Sequence, residues 1–231
     1  VNLVSVNVGL PRTVKYRNRS YPTAIFKEPV ADRVRVGRLN IEGDRQGNLK
    51  THGGSDMAVY VYSFDHYRFW EEDLGVQGLA PGAFGENLTV TGMADDEVAI
   101  GDVFCIGTAR FQVTEPRTPC HKLAMKFDDP GLPRRFFKAG RLGFYFRVLA
   151  EGEVGAGDPI VCEARDPAGL SVGEVASLWA DKGADRGALQ RALSVGALSA
   201  TWRGAFEERL ASAAAARGDM RTWSESRLTW V

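Results

Sequence analysis

The stretch Val103-Phe-Cys-Ile-Gly-Thr-Ala-Arg-Phe-Gln-Val-Thr114 decides how the fold is read. It holds two short apolar runs, Val103–Ile106 and Phe111–Thr114, with a glycine between them, and each has strand length. The pattern recurs on both sides. Leu3–Val8, Thr23–Phe26, Arg33–Leu39, Ala58–Tyr62, Asn87–Val90, Phe144–Leu149 and Ile160–Glu163 are further predicted strands, bounded by Gly, Pro or Asp. Glycine fills 26 of 231 positions, an excess that favours turns. Many short, evenly spaced strands predict a barrel, because closure removes exposed edges. One helix interrupts them, with Ser63 as its cap and Phe64, Tyr67, Trp70 and Leu74 near one face. A second helical or irregular region runs over 123–138, broken by Pro130 and Pro133.

From Asp166 the period changes. Ser171-Val-Gly-Glu174 is a capping box, and Val172, Val175, Ala176 and Trp179 follow at helical spacing. Lys182-Gly-Ala184 is a stop, and Asp185 can cap a second helix to about Leu193. Ser199 starts a third, with Trp202, Phe206 and Leu210 on one face. The expected architecture is mainly β, a barrel domain over 1–165 with a few helices, then a small three-helix domain over 166–231.

Composition excludes several functions. Lys+Arg and Asp+Glu are 29 each, so no global polyanion binder is expected. The last helices match a DNA-reading shape but carry as many acids as bases, so nucleic acid is not expected as a partner. Three cysteines with wide spacing fit neither a disulfide framework, nor a four-cysteine cluster, nor a Cys-rich zinc site. No apolar run reaches about 18 residues, so no membrane partner is expected, and the compartment is read as reducing and cytoplasmic. No dinucleotide fingerprint, Walker loop, GxSxG or HExxH occurs.

Three clusters could carry chemistry. In Glu115-Pro-Arg-Thr-Pro-Cys120-His-Lys122, two prolines stiffen a cysteine flanked by Arg117, His121 and Lys122. Such neighbours favour a thiolate, which is both a nucleophile and a soft-metal ligand. Cys105 and Cys162 lie in strands and are expected as small buried hydrophobes. In Lys50-Thr-His-Gly-Gly-Ser-Asp56, the paired Gly53 and Gly54 permit positive φ and close backbone approach, with Lys50 and His52 adding charge, as in an anion cradle. In Pro81-Gly-Ala-Phe-Gly-Glu-Asn87, Glu86 and Asn87 serve either the site or the turn. His66 is expected on the solvated face of its helix.

Together with Leu39-Asn-Ile-Glu-Gly-Asp44, these blocks resemble the MOSC domain family, most closely its stand-alone bacterial type with a trailing three-helix domain. The resemblance covers nearly the whole chain. It implies a β-barrel that binds the molybdenum cofactor and reduces N-hydroxylated compounds, such as 6-hydroxylaminopurine, to the amine. The family's metal-ligating cysteine falls on Cys120, which is thereby also the catalytic residue. Cofactor contact falls on Lys50, His52, Gly53, Gly54, Asn87, Arg117 and Lys122. His52, His121 or Glu86 could move protons. Electrons must then come from a separate flavin or iron–sulfur reductase. The other reading is a sulfur carrier, with a Cys120 persulfide and no metal. The C-terminal helices would serve as lid, partner dock or homodimer element. Charge is uneven, with residues 1–50 and 117–147 basic and 51–116 acidic. The basic segments are expected to converge at the barrel mouth around an anionic cofactor.

Overall fold

The structure, a computed structural model, describes residues 1–47, 53–181, 183 and 185–225. The strands are β1 Leu3–Val8, β2 Arg12–Tyr16, β3 Arg19–Thr23, β4 Glu28–Val30, β5 Val34–Val36, β6 Val59–Ser63, β7 Leu88–Val90, β8 Val103–Ile106, β9 Ala109–Pro116, β10 Phe144–Ala150, β11 Gly152–Val154 and β12 Ile160–Ala164. The helices are α1 Tyr67–Leu74, α2 His121–Phe127, α3 Leu132–Lys138, α4 Val172–Ala180, α5 Arg186–Ser194 and α6 Ala200–Glu225.

Eight strands form one sheet in the order β12-β8-β9-β10-β6-β7-β1-β4. The pairing is antiparallel except between β6 and β7. The predicted barrel is not confirmed, because among the described residues the strand ladder is not continuous around a closed circuit. The start of β1 meets the approach to β12 only through an isolated bridge, Asn2 to Pro159, and a few main-chain bonds. Pro159 has no N–H to donate, so a continuing ladder would lose a bond there.

The predicted strand Thr23–Phe26 is corrected. The chain instead makes a hairpin of β2 and β3, with Arg17 and Asn18 at φ 46° and 61° in its two-residue turn. Residues 24–27 leave the sheet, and Ala24, Ile25 and Lys27 line the cavity described below. The predicted strand Arg33–Leu39 shortens to β5.

Strand alternation gives the sheet two different faces. Val59, Val61, Phe144 and Phe146 join the main apolar cluster. Tyr60, Tyr62 and Tyr145 face the other way, into a second cluster with Trp70, Phe84, Leu123 and Phe136. There the Trp70 indole stacks on Phe136 at 4.5 Å and donates to the Tyr62 hydroxyl at 2.6 Å, fixing α1 and α3 against β6. A fully buried aromatic of this kind contributes about 2–3 kcal/mol.

Helix α1 begins irregularly. Ser63 accepts from the Asp65 N–H as expected, but residues 64–66 form a 3₁₀ turn. The tighter turn rotates the expected stripe. Phe64 is 39% exposed, and His66, expected in solvent, is 5% exposed. The C-terminal helices follow the sequence closely. Ser171 and Glu174 form the full capping box, and Asp185 caps α5 through the Gly187 N–H. Their apolar residues, including Val175, Leu189, Trp202 and Phe206, pack into the main cluster beside the sheet.

Candidate functional site

Strand β9 ends at Pro116, and the Arg117 N–H donates to the Gly143 carbonyl at 3.0 Å. The Pro-framed segment then leads to Cys120, whose extended backbone (φ −123°, ψ 174°) precedes α2. The Cys120 side chain makes no cap bond, and it lines a cavity with Arg117, Lys122, Lys27, Tyr60 and Tyr145. This cavity lies against the tyrosine-bearing face of β6 and β10, opposite the main apolar cluster.

Arg117 is the chemically unusual member. It is 6% exposed, sits 5.3 Å over the Tyr60 ring and 5.2 Å from that of Phe136, and its Nη1 has no hydrogen-bond partner. A buried guanidinium nitrogen without a partner costs about 1–3 kcal/mol or more. An anion in the cavity would remove that cost.

Lys27 is a second buried cation on the same wall. Its ammonium pairs with Asp44, and burial pushes its pKa down while Asp44 pulls it back up. Asp44 is 2% exposed and also accepts the Gly9 N–H at 2.9 Å and the Asn87 amide at 2.9 Å. Lys27 and Arg45 come from the first basic segment, Arg117 and Lys122 from the second, and all four line the cavity. The two segments therefore converge, on the tyrosine-bearing face of the sheet.

The remaining expected residues divide. Gly53 lines the cavity, and Gly54 follows it. Their φ values are 125° and 91°, and a Cβ at Gly54 would meet nothing within 4 Å. The requirement at Gly54 is thus the backbone conformation, not space. Lys50 and His52 lie outside the described residues. Asn87 lines the cavity, yet its side chain is committed to the frame. Its Oδ1 accepts the Tyr60 N–H at 3.1 Å, and its Nδ2 donates to Asp44 and to the Asn7 carbonyl.

Glu86 follows its turn reading. It is fully buried and accepts from the Tyr67 hydroxyl, the Gly82 and Phe84 N–H groups and the Thr89 hydroxyl. His121 is exposed beside Tyr21. Of the other cysteines, Cys105 is half-buried with its thiol 3.1 Å from Glu163, and Cys162 is exposed. The buried expectation for Cys162 fails because β12 is a sheet edge, with four of its five residues exposed.

Sequence reasoning missed Lys27, Tyr60 and Tyr145. No local signal marks them, although the alternation of Tyr60 and Tyr62 with Val59 and Val61 could have shown two covered faces.

Residues 48–161 match the MOSC domain family, and residues 170–213 match the YiiM-like, 3-alpha helix domain. The YiiM protein of Escherichia coli (strain K12) is 33% identical over 207 residues, covering 88% of this chain and 92% of that protein. The chain belongs to the MOSC family, YiiM type. The crystal structure of YiiM from Geobacillus stearothermophilus superposes with a TM-score of 0.78 at 38% identity, covering 90% of this chain and 98% of that one. A protein named as a reductase in Gibberella moniliformis is 37% identical over 145 residues, 60% of this chain and 25% of that protein. Within this MOSC chain, the Pro-Arg-Thr-Pro-Cys block occupies the cavity wall, and among the described residues no helix is long and apolar enough to cross a membrane.

Proposed function

We propose that this MOSC protein is a molybdenum-cofactor-dependent reductase of N-hydroxylated compounds. The observation that carries the reading is one cavity holding a soft thiol, Cys120, beside the unpartnered buried Nη1 of Arg117. A pterin cofactor with a phosphate needs both kinds of group, a sulfur ligand for its metal and fixed cations for its anion. Similarity to a protein named as a reductase supports the reaction class.

In this reading Cys120 holds the metal. Arg117 supplies the phosphate donor, with Lys27 and Lys122 adding charge on the same wall. Gly53 offers backbone at close range, and Lys50 and His52, which lie outside the described residues, keep the cofactor-contacting role that the family resemblance implies. Asn87 keeps Asp44, and through it Lys27, in place. When bound, the cofactor supplies the two-electron redox chemistry. The substrate is a small N–OH compound such as 6-hydroxylaminopurine, and the electrons come from a separate flavin or iron–sulfur reductase in the cytoplasm. The C-terminal helices are the surface for that partner or for a second copy.

The test is elemental analysis for molybdenum and pterin fluorescence after expression in a cofactor-producing host, followed by reduction of 6-hydroxylaminopurine. One molybdenum per chain with turnover is expected. Metal-free protein from such a host, or loaded protein with no turnover, would overturn the reading.

A further inference from the structure

Residues 9–27 carry Arg12, Lys15, Arg17, Arg19 and Lys27 and no acid. Lys27 is spent on Asp44 in the cavity. The other four stand on the hairpin of β2 and β3, and all are exposed. Among the described residues none of the four pairs with a carboxylate, whereas Arg33, Arg110 and Arg135 on other surfaces do. The flanking acids, Glu28 on the edge strand β4 and Glu42, lie outside this run. An unneutralised run of bases sets up a local positive field, although the whole chain has no net charge.

The hairpin is fixed beside the cavity. Val14 and Tyr21 are direct cross-strand partners, and with Tyr16 they turn inward and pack on the second apolar cluster. The Tyr21 ring lies 5.1 Å from that of His121, the residue after Cys120. Thr23 at the end of β3 and Ala24 after it line the cavity itself.

Two bare apolar side chains stand at the same rim. Leu10 is 65% exposed and Leu39 is 56% exposed. Gly9, the neighbour of Leu10, accepts the Arg45 N–H at 3.2 Å, and the Leu39 carbonyl accepts the Gln46 amide at 3.4 Å. Arg45 and Gln46 both line the cavity. Apolar anchors with a charged surround are the build of a protein-docking patch.

We propose that this rim, the β2–β3 hairpin with Leu10 and Leu39, is the docking face for an acidic flavoprotein that delivers electrons to the cavity. The inference rests on the reading of the protein as an N–OH reductase and names the class and place of its donor. The chain has neither a dinucleotide fingerprint nor the cysteines for a cluster of its own, so its electrons arrive from another protein. A reduced flavin gives up two electrons and is oxidised, which matches the need of one N–OH group. That group takes the two electrons with two protons from solvent. The N–O bond breaks, an N–H bond forms and the oxygen leaves as water. The positive field speeds the encounter with an acidic carrier and orients it towards the Cys120 side. Val175, Leu189, Trp202 and Phe206 of the C-terminal helices pack into the main cluster, so those helices are left for a second copy.

The experiment uses an acidic flavodoxin as the probe. Its binding to the full chain is measured by calorimetry at low salt (about 20 mM) and near physiological salt (about 150 mM). Wild-type affinity should fall about 10-fold between the two. The triple variant Lys15→Gln, Arg17→Gln, Arg19→Gln should bind about 10-fold more weakly at low salt and lose most of the salt dependence. Leu39→Ser should weaken binding at both salts. Arg186→Gln, which removes an exposed base of α5, should change neither. In loaded protein the triple variant should raise the KM for reduced flavodoxin about 10-fold and keep its full rate with reduced methyl viologen, a small reductant that needs no docking face. Wild type that does not bind flavodoxin, or that binds a single-stranded oligonucleotide in its place, overturns the inference. So does a triple variant that binds as wild type does, or Arg186→Gln weakened as much as the triple variant. Loaded wild type that binds flavodoxin as expected but is inert towards N–OH compounds with methyl viologen overturns the reading of function instead.

Discussion

The Nε2 of His66 lies 3.0 Å from Oδ2 of Asp95, with both side chains buried. Asp95 Oδ1 accepts the Leu142 and Gly143 N–H groups at 2.8 Å each, and Arg141 reaches the His66 Nδ1 at 2.8 Å. The same three-residue turn receives the Tyr60 hydroxyl at Leu142 and the Arg117 N–H at Gly143. This buried pair therefore sets the position of two cavity residues.

Asp95→Ala should destabilise the protein by about 3–5 kcal/mol, since it leaves two backbone donors and the Arg141–His66 pair without their acceptor. Urea unfolding measures this. A loss under about 1 kcal/mol would mean that the turn is held by other contacts.

Cys120→Ser should release molybdenum and abolish N–OH reduction, whereas Cys105→Ser and Cys162→Ser should keep both. The half-buried and edge positions of the latter two predict stability changes within about 1 kcal/mol. Full metal content in the Cys120 variant would exclude it as the ligand.

Arg117→Leu should make the unloaded protein more stable by about 1–2 kcal/mol, because the unpartnered buried donor disappears. The same variant should retain less cofactor. Thermal melts of unloaded protein together with pterin fluorescence separate the two effects, and a destabilised unloaded variant would contradict the account of Nη1.

Two buried groups give stability opposite slopes with pH. Glu115 is raised from 4.5 to about 7, so its contribution is complete below pH 4.5 and is lost as pH rises through 7. Lys126 is lowered from 10.5 to about 8, chiefly by burial, although it donates to the Ile25 and Gly82 carbonyls. Its contribution is present above 10.5 and is lost as pH falls through 8. A stability minimum is expected between about pH 7 and 8, with the acid limb worth about 3 kcal/mol. Glu115→Gln should flatten the acid limb and Lys126→Met the alkaline one, read from urea midpoints between pH 4.5 and 10.5.

NADPH as sole reductant should give no turnover by the purified loaded protein, because the chain has no dinucleotide fingerprint and too few cysteines for its own four-cysteine cluster. Turnover without an added reductase would disprove the need for a separate donor.

Some features were legible in the sequence because their causes are local. Val103–Ile106 is a strand because a short apolar run between turn residues has few alternatives. The Ser171–Glu174 box and the Asp185 cap satisfy helix N–H groups within three residues of themselves. The Pro-Arg-Thr-Pro-Cys block and the Gly-Gly pair marked the cavity wall, because proline stiffness and glycine φ are intrinsic to those residues. What required the tertiary structure was every property set by a partner far along the chain. Lys27 becomes a site cation only where Asp44 and Asn87 meet it. His66 turned inward because a 3₁₀ turn changed its helical phase and Asp95 was waiting 29 residues on. Cys162 stayed exposed because strand order, not strand composition, makes β12 an edge. Glu115 reads in sequence as one more polar residue at a strand end. Its burial, its unpartnered Oε2 and its pairing with Tyr145 follow from the register of β9 on β10, which non-local hydrogen bonding decides.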